Sequence, residues 1–401
     1  MARIAFITAD LSQGSGIGDY VRLFAVECVC LGHTVQIHGL NDNHSSDYIT
    51  EVICVDDKTI QVHRWSRRLN CAFKCRQSRK LLELFEPDWV SLQFEFYYFS
   101  NKGLMPFAWH LPAVLKGYQV HLMMHELWVR FNSGEDWREQ LKGVVRYLQC
   151  RHMIKKIRPL CAHTSVQPYA EELKHLLPGI KLLSVPSNIP VSREASVTLP
   201  TEIAGTIPGE RSQYLLVILF GRITQEWESG DSLKLIDEAA KCASRNVRLI
   251  SIGENGYGDM YWNRLVDQMP SGWRSIKLGW RDHEFVSRTL QGCDLAISST
   301  PFSLSGKSGT TAAFLEHNLP VLFAEKRPSQ EEISAAHPGH FHELLHFTDQ
   351  PLQLEALANR RAVNPESHVS LRARQFIDDL FSASTRITKT AGGRLSSELR
   401  T

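Results

Sequence analysis

SSTPFSLSGKSGTTAAFLEHNLPVLF, residues 298–323, reads as the end of a buried strand, a glycine- and serine-rich loop, a helix and a second strand. That order aims backbone amides and Lys307 at whatever sits over the helix start, where a phosphate binds. Within Ser305-Gly306-Lys307-Ser308-Gly309-Thr310-Thr311, glycines allow close backbone approach and hydroxyls donate or accept. The helix dipole adds partial positive charge to that of Lys307. The segment is not a Walker loop, which needs a glycine five positions before Gly306, where Pro301 stands. Taken alone, it reads equally well as an ordinary strand-to-helix turn capped by Ser308 or Thr310.

The surroundings extend the pattern. Short apolar runs alternate with amphipathic helices: Arg3 to Thr8, Thr34 to Gly39, Trp89 to Phe94, Val120 to Met124 and Leu160 to Thr164 in the first half. Tyr214 to Phe220, Arg248 to Ile252, Ser275 to Gly279, Leu295 to Ser298 and Pro320 to Phe323 follow in the second. Alternation of this kind predicts an α/β protein with parallel sheets wrapped by helices. The 401 residues, 43% hydrophobic and 22% charged, suffice for two cores. Pro186 to Gly209, with four prolines, reads as a connector. The expected organisation is a domain over 1–190, a linker over 191–210, a second domain over 211–381 and a mobile, polar tail over 382–401. Two doubly wound domains would face each other across a cleft, with ligands beyond the carboxyl ends of the strands.

Composition excludes several classes. A net charge of +2 argues against wholesale nucleic-acid binding. The N-terminus lacks the apolar helix of a signal peptide, and no stretch reaches the roughly 18 apolar residues of a membrane span, so a cytoplasmic protein is expected. Nine scattered cysteines, with Cys28-x-Cys30 and Cys71-x3-Cys75 as the close pairs, fit reduced thiols, and no metal site is expected.

After the first strand comes Gly14-Ser15-Gly16-Ile17-Gly18-Asp19-Tyr20, leading into a helix. It lacks the full G-x-G-x-x-G spacing, and His38, Gly39 and Leu40 stand where an acidic residue should end the second strand. A dinucleotide site is therefore poorly supported. Gly16 and Gly18 either bring backbone against a diphosphate or form a plain turn.

GSGIGDYVRLFAVECVCLGHTVQIHGL, LQFEF, LMMHELW, PSNIPV, LVILFGRI, LISIGENG, LGWRDHEFVSRTLQGCDLAISSTPF and AAFLEHNLPVL together, in this order, resemble the retaining glycosyltransferases of family 4, over about residues 2–325. The resemblance implies the GT-B architecture of two facing Rossmann-like domains. It implies transfer of a sugar from a nucleotide-sugar donor to an acceptor hydroxyl, the nucleotide sugar being co-substrate with no cofactor and no metal. His125, in MMHELW, matches the histidine that contacts the sugar near the reacting carbon. Arg222, in FGRI, matches the arginine that clamps the donor diphosphate, a task suited to a planar, permanent charge. These two and Lys307 are the candidate catalytic groups. Gly16, Gly18, Glu254, Ser308, Gly309, Thr310 and Thr311 complete the donor side. Gln93, Glu95, Tyr97 and the adjoining Tyr98 are acceptor-side candidates, although domain packing explains these aromatics equally well.

Departures from the family pattern are local. Its second diphosphate cation falls in Thr224-Gln225-Glu226-Trp227-Glu228-Ser229, which holds no lysine. Its paired glutamates align with Ser305 and Ala313. Lys307 is the expected replacement cation. Two alternatives stay open: a GT-B-like binding or scaffold protein without turnover, and a nucleotide-sugar epimerase. The acceptor is a carbohydrate, a lipid-linked molecule or a small molecule. Basic stretches from His63 and Trp137, with Trp65, Leu69 and Phe73 at four-residue spacing, suggest either peripheral contact with an anionic inner membrane face or an ordinary solvated helix.

Overall fold

The computed structural model describes residues 1–12, 15–99, 105–128, 137–192, 199–223, 227–253, 260–337, 339–354, 357 and 367–398. The chain forms two compact units, Met1–Leu183 together with Val369–Thr401, and Ser184–His368. Each is built on a mainly parallel sheet.

The first sheet contains β1 (Arg3–Thr8), β2 (Thr34–Asp42), β3 (Tyr48–Val55), β4 (Lys58–Ser66), β5 (Trp89–Phe94), β6 (Gln119–Met124), β7 (Cys161–Thr164) and β8 (Lys181–Leu182). Their order is β3-β4-β2-β1-β5-β6-β7-β8. All pairs are parallel except β3 with β4. β1 and β5 are apolar runs buried almost throughout, as strands covered on both faces must be. One face packs on helices Cys71–Phe85, Phe107–Leu115 and Trp137–Ile157 around Leu92, Phe94, Leu111 and Met153. Across the other lie helices Gly16–Cys30 and Val369–Glu398, where Phe376 meets Phe6 at 5.9 Å, Phe24 at 6.0 Å and His121 at 4.9 Å.

The second sheet is wholly parallel: β9 (Tyr214–Phe220), β10 (Asn246–Ile252), β11 (Arg274–Lys277), β12 (Leu295–Ser298), β13 (Val321–Phe323) and β14 (Leu345–Phe347). The order β11-β10-β9-β12-β13-β14 reverses direction between β9 and β12, and apolar clusters cover both faces. Such a reversal opens a crevice at the carboxyl ends of the two strands. The equivalent reversal in the first unit falls between β1 and β5.

Three expectations change. The proline-rich stretch from Pro186 is part of the second unit: the Ser187 amide donates to Glu316 Oε1 at 2.8 Å, Ser192 N to Ser287 Oγ at 2.8 Å, and Ile203 is fully buried. These contacts, over its described residues, tie it to the second unit where a free connector was expected. At the other end, the chain returns at Val369 to cover the first sheet, so 369–381 is not part of the second domain, and the stretch from 382 continues as helix to Glu398. Finally, Trp65 lies in β4, only 3% exposed, with its ring near Tyr48 and His38. The helix starts later, at Cys71, because Asn70 Oδ1 accepts from Ala72 N and Phe73 N. Trp65, Leu69 and Phe73 therefore form no common stripe.

Candidate functional site

The carboxyl ends of β9, β10 and β11 are each followed by a left-handed glycine: Gly221 at φ +83°, Gly253 at φ +97° and Gly279 at φ +67°. Backbone hydrogen bonds link them in series, Gly221 N to Ile252 O at 2.9 Å and Gly253 N to Gly279 O at 2.8 Å. A Cβ on Gly221 would lie 2.9 Å from Thr310 Oγ1, so this glycine lets the β9 turn close on the 302–311 loop. Arg222 follows, exposed, its carbonyl fixed by Ser299 Oγ at 2.8 Å. The strand-glycine pattern recurs in LFGR, SIGE and LGW, all three within segments that carry the resemblance, although the shared left-handed turn was not read from it.

On the β12 side, residues Phe302–Lys307 form a 3-10 turn and Gly309–Glu316 a helix. Ser308 caps that helix by accepting from Thr311 N at 3.1 Å. Val185 N holds Gly306 O at 2.9 Å, and Lys307 is half-buried. Thr311 Oγ1 is buried with no hydrogen-bond partner among the described residues. Arg222, two residues past β9, and Lys307, the helix start and Thr310, past β12, are thus all carried by segments that leave the two strands flanking the reversal. Cation, dipole and amides share one sign there, and that arrangement suits an anion.

The two positions aligned with the paired glutamates, 305 and 313, carry no carboxylate. Ser305 is buried, its Oγ donating to Phe302 O at 2.6 Å and lying 2.7 Å from His337 Nε2. Ala313 is fully buried. Glu316, 3% exposed, turns inward to Ser187. Glu254 and 224–226 lie outside the described residues.

In the first unit, Ser15 caps helix Gly16–Cys30 by accepting from Gly18 N at 3.3 Å. Gly18 is required by its own fold, because a Cβ would meet Asp10 O at 3.0 Å and Leu11 Cα at 3.1 Å. Gly16 is exposed with open space around it. β2 extends past the anticipated Gly39 and does end in an acidic residue, Asp42. Asp42 is not available to a ribose. Arg64 grips it through Nε at 2.6 Å and Nη2 at 3.0 Å, and Leu11 N donates to it at 3.2 Å. Burial opposes ionisation of Asp42, but the Arg64 bonds outweigh it and hold the carboxyl below the usual carboxylate range. Neighbouring Asp10 is pushed up by burial.

His125 follows β6 and is 6% exposed. Its amide donates to Phe94 O at 2.9 Å, the Tyr20 ring meets it edge-on at 5.1 Å, and its Nε2 lies 2.9 Å from Gln93 Oε1. Gln93, an acceptor-side candidate, is only 1% exposed, and its Nε2 donates to Ser91 Oγ at 2.7 Å. Both ends of its amide are engaged within the domain, so it acts on His125 and not on an acceptor. Glu95 is half-buried and Tyr98 exposed. Tyr97, also exposed, stacks with Arg146, whose guanidinium carbon is 5.1 Å from its ring. The basic stretch from Trp137 does form one helix, with Leu141, Val144 and Leu148 exposed among exposed Lys142, Arg151 and Lys155.

Among the described residues, one group of side chains comes close enough to share a metal ion: His121, Cys161 and His163, all buried. His121 Nε2 and His163 Nδ1 are 2.9 Å apart, a hydrogen-bond distance, and their other ring nitrogens reach Ser91 and Asp379. Burial pushes the Cys161 thiol up to about 12, which leaves it protonated. Hydrogen bonding alone satisfies the cluster.

No protein-family model matches the chain, and no curated protein sequence matches it. Solved structures do. The catalytic domain of starch synthase IV from Arabidopsis thaliana, bound to ADP and acarbose, superposes with a TM-score of 0.56 at 12% identity, covering 96% of this chain and 99% of that one. HepE of Anabaena in complex with UDP-glucose gives 0.53 at 10% identity, with 98% and 100% covered. An enzyme described as a putative UDP-N-acetylglucosamine 2-epimerase from Listeria monocytogenes gives 0.50 at 11%, with 95% and 96% covered. The chain has the α/β fold of the GT-B glycosyltransferases, with two parallel-sheet domains. Among the described residues, no helix is long and apolar enough to cross a membrane.

Proposed function

We propose that the protein is a retaining, metal-independent glycosyltransferase that moves a sugar from a nucleotide-sugar donor to an acceptor hydroxyl. The observation that carries this reading is the placement of Arg222 after β9, and of Lys307 and the Gly309–Glu316 helix start after β12, at the strand-order reversal of the second sheet. Arg222 and Lys307 take the donor diphosphate and offset the charge that develops on it as the glycosidic bond breaks. Lys307 replaces the family's second cation. His125 contacts the sugar, the acceptor hydroxyl attacks on the face from which the diphosphate leaves, and the departing phosphate oxygen accepts its proton, so no enzyme general base is required. Solved structures of the same fold hold ADP or UDP-glucose, which supports the donor class.

The second reading, a nucleotide-binding protein without turnover, is favoured by one feature: the two positions of the family's glutamates are a core-bonded serine and a buried alanine. Incubation with nucleotide sugars and candidate acceptors, followed by proton NMR of the anomeric signals, separates the two. A product with the donor's anomeric configuration supports the transferase. An inverted product contradicts retention, and binding without release of nucleoside diphosphate favours the second reading.

A further inference from the structure

We infer that Gln93, Ser91, His121, His163 and Asp379 are positioning residues, which hold His125 in a single tautomer through an unbroken chain of buried hydrogen bonds. The inference rests on the role proposed for His125 at the sugar. The chain runs along one face of the first sheet, crossing β5, β6 and β7 and ending on the returning helix Val369–Glu398. Its links are His125 Nε2 to Gln93 Oε1 at 2.9 Å, Gln93 Nε2 to Ser91 Oγ at 2.7 Å, Ser91 Oγ to His121 Nδ1 at 2.8 Å, His121 Nε2 to His163 Nδ1 at 2.9 Å, and His163 Nε2 to Asp379 Oδ2 at 2.9 Å.

The terminal carboxylate fixes every proton. Lys181 also donates to Asp379, and these two partners outweigh burial and hold its carboxyl below the usual range, so Asp379 can only accept. His163 therefore donates from Nε2 and accepts at Nδ1. His121 must then donate from Nε2 and accept at Nδ1, which takes the Ser91 hydroxyl proton. Ser91 Oγ in turn accepts from the Gln93 amide, whose oxygen is left for His125 Nε2–H. All five bonds are donated in one direction, toward Asp379, so each polarises the next. His125 is left with Nδ1 as its basic nitrogen. Ser91, His121 and His163 are fully buried, so no water competes for these positions, and reversing one link would strand a donor against a donor. The arrangement also assigns a task to the returning helix: it supplies the anchor of the chain.

The test needs neither donor nor turnover, so it fails independently of the functional reading. The full chain is labelled with 15N-histidine, and His125 is assigned by the loss of its signals in His125→Gln. Its ring nitrogens should report the Nε2–H tautomer alone. Ser91→Ala cuts the chain, frees the Gln93 amide to turn, and should move the His125 signals to values averaged over both tautomers. Asp379→Asn, at the partly exposed end, should move them in the same direction by less. Lys181→Met, which keeps the carboxylate-to-His163 bond, should leave them in place. Signals of His125 that match the unmodified protein in both Ser91→Ala and Asp379→Asn would overturn the inference. If Ser91→Ala does not fold, Gln93→Met, which removes the acceptor at His125 Nε2, decides in its place: signals that stay at the Nε2–H values would overturn the inference.

Discussion

Gly221 and Gly16 look alike in the sequence, each the glycine of a turn or helix start after a strand, but the structure gives them opposite demands. Gly221 sits at φ +83° with Thr310 Oγ1 where a Cβ would go, and Gly16 has open space at a helix start. Gly221→Ala should lower stability by about 1–3 kcal/mol, from left-handed strain plus displacement of Thr310. Gly16→Ala should leave it within about 1 kcal/mol, because alanine is a better helix former where the backbone permits it. Denaturant unfolding checks both, and equal effects would contradict this account of the rim. At this scale, the strand-end positions of His125 and Arg222 followed from the resemblance and from the apolar runs before them, while the burial of His125, at 6% exposed, did not. The fate of Gln93 was not legible, since alternation along β5 cannot tell a buried amide from one that faces a ligand.

The parallel strands were found from their short, mainly apolar runs. The β3–β4 hairpin was missed because its turn carries Asp56, held at φ +51°, instead of a glycine, and because the half-exposed edge strand β3 sets Thr50 and Glu51 side by side among apolar residues with no period-2 pattern. That hairpin matters for the site: β4 delivers Arg64 to Asp42 and Glu51, and Asp42 in turn holds Leu11 N after β1. Asp42 has no exposed side-chain surface and Arg64 has 12%. Removing Asp42 leaves Arg64 with Glu51 alone and takes the acceptor from Leu11 N, so Asp42→Ala should cost about 1–3 kcal/mol. Chemical denaturation measures it. A cost below about 1 kcal/mol would mean that the pair is a surface bridge in solution.

Across the whole molecule, the two-sheet architecture followed from element order, whereas the unit boundaries did not. Composition marks Pro186 to Gly209 as a connector, but the bonds of Ser187 and Ser192 to distant residues make it part of the second unit. The return of Val369–Glu398 depends on contacts more than 200 residues apart in sequence, such as His163 with Asp379, to which no local pattern points. Burial in both units also sets the response to acid. His38 and His121 are held well below the usual imidazole value of 6.5, and His317 is lowered to about 4, chiefly by burial. The unfolded chain takes up these protons below about pH 6.5 while the folded one refuses them, so stability is full above that value and lost as pH falls toward 4. Asp42 and Asp379, with lowered carboxyl values, lose their contributions only at still lower pH. Melting temperature should therefore fall between pH 7 and 5, more steeply than in His317→Gln, whose parent imidazole alone accounts for about 3 kcal/mol by pH 4. A flat profile over that range contradicts neutral burial of these rings.

Calorimetric titration of the full chain with uridine, adenosine and guanosine diphosphates, alongside Arg222→Ala and Lys307→Ala, tests the central claim most directly. Each charge-assisted contact to phosphate is worth about 1.5–3 kcal/mol, so binding of the preferred diphosphate should weaken by about 10- to 100-fold in either variant while melting temperature holds. No binding by any diphosphate, or equal affinity in the parent and both variants, would contradict a diphosphate site at the ends of β9 and β12.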